Sequence, residues 1–104
     1  MLRLRFDGEG LQVTDEHKNV FIPWVDVDEI RAYRIDRPDG QDGLAISVKA
    51  GEWYYELRDD LPDWERHMQR LPRFLPGTLS IRFWRLQVLP VSWQRDLVID
   101  QRQT

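Results

Sequence analysis

A chain of 104 residues, 41% hydrophobic and 32% charged, reads as one soluble domain, with no run approaching the ~18 apolar residues of a membrane span. The absence of cysteine excludes disulfides, thiolate metal sites and cysteine nucleophiles, and with two histidines a zinc site would have to lean on carboxylates. The net charge of −3 hides a division: 16 acidic and 8 basic residues up to Glu65 (net −8), then 2 acidic and 7 basic (net +5).

An acidic total argues against nucleic acid, whose phosphates demand a basic face. An acidic first part suits a basic protein partner, because charge asymmetry steers association. MLRLRFDGEG has no apolar signal-peptide core, so the expected address is the cytoplasm.

Leu2 to Phe6 alternates, with Leu2, Leu4 and Phe6 on one face and Arg3 and Arg5 on the other. Asp7-Gly8-Glu9-Gly10 is a turn, and Leu11 to Thr14 resumes the alternation as the partner of a hairpin. After a polar turn over Asp15 to Asn19, Val20 to Trp24 forms a strand that Pro23 confines to an edge or ends. Val25 to Glu29 is either a helical turn or a bulged strand entry. Ile30 to Ile35 and Leu44 to Lys49 are strands joined by a long turn carrying Pro38-Asp39-Gly40 and Asp42-Gly43. Ala50-Gly51-Glu52 then leads tightly into Trp53 to Leu57. Six strands with short turns predict an antiparallel sheet, strongly curled or partly closed into an open barrel.

Leu61, Trp64, Met68, Leu71 and Leu75 recur at helical spacing and predict an amphipathic helix over Leu61–Leu71 covering the sheet. Asp59 and Asp60 are candidate caps, Pro62 suits the first turn, and Pro72 is expected to end or kink the regular helix at Leu71. Beyond Gly77, Thr78 can cap a second helix in which Leu79, Phe83 and Leu86 share a face, with a strand as the alternative. Leu97-Val98-Ile99 is a candidate closing strand. The expected class is therefore α+β, in a single domain spanning residues 1–104.

Elements of this pattern, Ile22-Pro23-Trp24-x-Asp26, Ile30-Arg31-Ala32-Tyr33-Arg34-x-Asp36, Leu61-Pro62-x-Trp64, Leu75-Pro76-Gly77 and the tail Phe83-Trp84-Arg85-Leu86 to Leu89-Pro90, resemble a group of small bacterial proteins. Those proteins have a pleckstrin-homology-like sheet, and several are of immunity type in toxin systems. The resemblance implies a fold and a binding role and carries no catalytic residues. One departure is that about thirty residues follow the helix, where a standard pleckstrin-homology domain ends.

Chemistry is sparse. Neither His17 nor His67, nor Ser47, Ser80 or Ser92, sits in a catalytic pattern, and no glycine-rich phosphate loop is present. The best chemical case is that Asp26, Asp28 and Glu29 meet Asp59, Asp60 and Asp63, where clustered carboxylates can hold calcium or serve acid/base work. The expected function is non-catalytic and cofactor-free: a protein-binding module, with Asp26, Asp28, Glu29, Asp39 and Asp42 on one acidic face. Tyr33 or Trp84 would be an exposed anchor, and Trp93 is a further tail aromatic; Trp, Tyr and Arg are the usual hot-spot types. The partner would be another protein such as a toxin, with a homo-oligomer also open. The competing readings are a lipid-headgroup module, disfavoured by the acids of the first hairpin turns, and a small carboxylate-based hydrolase.

Overall fold

The computed structural model describes residues 3–88 and 97–101, apart from the side chains of Gln87 and Gln101. Leu2, Leu89, Pro90, Ser92 and Trp93, which enter the sequence reading, lie outside the described residues.

All six strands expected before the helix form: β1 (Arg3–Phe6), β2 (Gly10–Thr14), β3 (Asn19–Pro23), β4 (Val27–Asp36), β5 (Asp42–Ala50) and β6 (Trp53–Arg58). They do not make one curled or partly closed sheet. β1, β2 and β3 are a three-stranded antiparallel sheet, whereas β7 (Leu97–Gln101) joins the others in a second sheet of order β6-β5-β4-β7. The chain leaves the first sheet at Pro23, opposite Gly10, because proline has no N–H to extend a ladder. A 3₁₀ turn over Trp24–Asp26 and a bulge between Val27 and Glu29 then redirect it, so both alternatives for this segment are realised in succession.

The hairpin turns are built on aspartates. Asp7 Oδ1 accepts from the N–H groups of Glu9 and Gly10 at 2.8 and 3.1 Å. Asp15 Oδ1 does the same for His17 and Lys18 at 2.7 and 2.6 Å, bonds that hold its carboxyl below the ordinary carboxylate pKa. Asp39 Oδ1 takes the N–H of Gln41 at 3.0 Å. Three of the 16 acidic residues up to Glu65 are thus turn chemistry.

Helix α1 spans Trp64–Phe74 and buries the expected stripe of Leu61, Trp64, Met68, Leu71 and Leu75. Both ends differ from expectation. Asp63, with φ of 59°, precedes the helix without a side-chain capping bond, and Asp59 instead accepts from Arg37 and from the Leu44 N–H. At the far end the helix runs through Pro72, forgoing one hydrogen bond. Packing favours the extra turn: Phe74 stacks on Trp24 at 5.5 Å and meets Phe6 edge-on, while Leu75 is fully buried.

Helix α2 (Ile81–Val88) answers the helix-or-strand question in favour of helix, with β7 following it. Its inward face is Ile81, Trp84 and Val88, whereas Phe83 and Leu86 of the anticipated stripe are exposed. Two overlapping helical stripes were present in the sequence, and docking against β4 and β7 selected the one containing the larger tryptophan. Ser80, rather than Thr78, caps the first turn by accepting the Arg82 N–H. Thr78 is buried, donating to the Leu75 carbonyl at 2.7 Å and lying 3.3 Å from Asp100 Oδ1. One continuous core joins both sheets and both helices.

His67 is part of that core, its ring 4.9 Å from Phe6 and its Nδ1 without a hydrogen-bond partner among the described residues. Burial, chiefly, and then the positive field of Arg70 lower its pKa; Asp63 and a hydrogen bond to the Leu4 backbone oppose this, and Arg66 adds to it. The unfolded chain therefore binds more protons at this site than the folded one, and stability falls as pH drops below the ordinary histidine pKa of ~6.5. The melting temperature is expected to decline between neutral pH and pH ~5.5, and His67→Gln to flatten that slope. Parallel slopes for the two proteins would contradict the assignment.

Candidate functional site

A cleft of about 420 Å³ opens where the first sheet meets the β5–β6 hairpin. β3 supplies Phe21, Ile22 and Pro23, the 3₁₀ turn supplies Val25 and Asp26, β4 supplies Asp28, and Ala50, Gly51 and Tyr55 close the far side. The local sequence explains this shape. Alternation along β3 points Ile22 into the core and leaves Phe21 46% exposed. The tight turn that redirects the chain leaves Val25 84% exposed. Gly51, at φ 63°, occupies the left-handed region that a two-residue hairpin loop requires, and its N–H donates to Asp28 Oδ2 at 2.9 Å. Asp28 is thus tied into the wall. Asp26 is exposed and makes no side-chain hydrogen bond or ion pair among the described residues. The cleft sets the apolar side chains of Phe21 and Val25 among polar groups that form the larger part of its surface, with one open carboxylate, a mixture suited to a cation carried on an apolar stem.

The expected acidic face is dispersed. Asp26 and Asp28 share the cleft. Glu29 turns onto the outer face of the four-stranded sheet, where the Arg31 guanidinium binds it at 3.0 Å. Asp39 lies in the β4–β5 turn, lining a separate hollow with Arg37, Pro38, Asp59 and Asp60, and Asp42 pairs with Arg34 at 3.7 Å. That turn is at the opposite end of the β4–β5 ladder from Gly51, roughly 25–30 Å away at the rise of a strand. The same distance separates Asp26 and Asp28 from Asp59 and Asp60, so the two carboxylate groups do not meet. Among the described residues no group of three or more histidines or carboxylates is arranged to hold a metal ion.

The aromatic anchors change as well. Trp84 is 1% exposed and meets Trp64 edge-on at 6.1 Å, so it is core and not an anchor. Tyr33 is half-buried on the outer sheet face, donating to Glu56 Oε1 at 2.7 Å. Among the described residues the exposed aromatics are Phe21, Trp53, Tyr54 and Phe83. Trp53 shares a strand face with Tyr55 and Leu57, yet is 70% exposed because the hairpin carries it beyond the core. Sequence alternation marks that face but not where the core stops. Compared with known proteins, the chain matches no protein-family model, no curated protein and no solved structure.

Proposed function

We propose that this chain is a non-catalytic protein-binding module of the immunity type, built on a pleckstrin-homology-like arrangement of sheets, and that its partner enters the cleft at Asp26. The observation that carries this reading is the cleft itself: Phe21, Val25 and Tyr55 surround a carboxylate with no partner among the described residues. A toxin whose active surface is basic would offer lysine or arginine side chains, whose stems suit Phe21 and Val25 and whose charge meets Asp26. Two antiparallel sheets and a covering helix are in keeping with the family resemblance, while β7, entering after both helices, is a departure from it.

The test is retention of a partner from the native cell on tagged protein. At low salt the wild type is expected to retain a basic protein and Asp26→Arg to release it, with melting unchanged because Asp26 supports nothing else. Retention should weaken as salt passes ~0.1 M, where the Debye length is ~10 Å. Equal retention by Asp26→Arg, or none by the wild type, overturns the reading. For the immunity role, co-expressing the retained protein should arrest growth with Asp26→Arg and not with the wild type.

A further inference from the structure

The edge strand β6 carries a self-complementary pattern, and we propose that it pairs antiparallel with β6 of a second copy, making a two-fold dimer with one continuous eight-stranded sheet. The argument starts from which backbone groups are free. Among the described residues β5 is the only strand bonded to β6. The register places Ala45 opposite Arg58, and the Asp59 N–H donates to the Leu44 carbonyl at 2.9 Å, so Leu44 and Asp59 are a hydrogen-bonded pair. Such pairs alternate along an antiparallel ladder, so Trp53, Tyr55 and Leu57 turn their backbone groups towards β5. Tyr54, Glu56 and Arg58 turn theirs to the open edge. Two devices that usually blunt an edge are missing: Trp53–Arg58 contains no proline, and its pairing with β5 has no bulge.

Hydrogen bonding, charge and the length of strand paired then choose one register, since centring on Leu57 would set Glu56 against Arg58 but pair only Glu56–Arg58 of β6. A two-fold axis perpendicular to the sheet must place outward-bonding residues opposite each other and keep each sheet face on its own side. Centring the axis on Glu56 sets that carboxylate against its own copy, and centring it on Tyr54 sets Glu52 against Glu56. Both are destabilising contacts of like charge. Centring it on Tyr55 places Tyr54 opposite Glu56 of the second copy, Trp53 opposite Leu57, and Glu52 opposite Arg58. Four backbone hydrogen bonds then link the two Tyr54–Glu56 pairs. Arg58 is available for its new partner: its side chain is partly exposed and its contact with Asp60 is a long 4.0 Å. The pairing also covers part of Trp53 and Tyr54, which are 70% and 64% exposed in the single chain. Asp26 belongs to the 3₁₀ turn, so this edge is tested independently of the cleft.

Sedimentation velocity over a dilution series reads the outcome. The wild type is expected to sediment as a concentration-dependent dimer. Glu56→Pro removes one outward N–H and none of the bonds to β5, so it should be monomeric with unchanged circular dichroism. Arg58→Glu and Glu52→Arg should each weaken dimerisation roughly tenfold or more by opposing like charges, and the double exchange should restore it. A wild type monomeric at every concentration overturns the proposal and leaves the edge to a strand from another protein. A dimer indifferent to Glu56→Pro, or a double exchange no better than the singles, overturns it equally.

Discussion

Replacing Trp64 by alanine is expected to destabilise the fold by about 3–5 kcal/mol, the range for emptying a buried aromatic site. Trp64 is 3% exposed at the first residue of α1, where it meets Trp84 edge-on and donates from Nε1 to the Leu57 carbonyl at 3.0 Å. The side chain therefore ties the helix to β6 and to α2 together. A 104-residue domain loses roughly 4 °C or more of melting temperature per kcal/mol, so the shift should be on the order of 15 °C. Trp64→Phe keeps most of the ring and loses the indole donor, and should fall between alanine and wild type. A thermal melt in which Trp64→Ala matches the wild type would show that the helix is not seated here.

The second large effect is expected at Gly10. A Cβ at this position would lie 2.3 Å from the Ile22 carbonyl oxygen and 2.8 Å from the Pro23 Cα. Both are backbone atoms, so no side-chain rotation relieves the clash. Gly10→Ala must push β2 and β3 apart at the Gly10–Pro23 pair, at a cost of about 1–3 kcal/mol or more for forced overpacking. Gly8, in the same turn, has nothing within 4 Å of its hypothetical Cβ, and Gly8→Ala should stay within about 0.5 kcal/mol of wild type. Because Ile22 and Pro23 also line the cleft, Gly10→Ala should accelerate amide exchange at Ile22 and Trp24. Equal melting of the two alanine variants would refute the close approach.

The cleft and the β6 edge are different kinds of surface. In the proposed reading the cleft would gain selectivity from the Asp26 carboxylate beside Phe21 and Val25, whereas the edge would offer mainly backbone bonds with charge setting the register. Lining the cleft with Tyr55 while using the same strand as an edge brings the two surfaces close together. A partner in the cleft would therefore sit beside a neighbouring copy.

Local patterns in the sequence determined the six early strands, the turns built on Asp7, Asp15 and Asp39, and the five-residue buried stripe ending at Leu75. These are signals of period two, period 3.6 and turn chemistry, each set by residues near one another in the chain. Tertiary structure decided the rest. Whether six strands close into one sheet depends on where β3 stops pairing, and Pro23, the 3₁₀ turn and the bulge at Val27 and Glu29 settle that jointly. β7 finds its place beside β4 across more than sixty residues of chain, a pairing no local pattern specifies. The extension of α1 through Pro72 depends on Phe74 meeting Trp24 and Phe6, and the inward face of α2 on which stripe β4 and β7 accept. The five acidic residues assigned to one face are close in composition but spread over both ends of a long hairpin. Charge summed along a chain carries no information about distance; only the β4–β5 ladder separates Asp26 and Asp28 from Asp39 and Asp42 and leaves the first two at one cleft, Asp28 tied to the Gly51 N–H and Asp26 open.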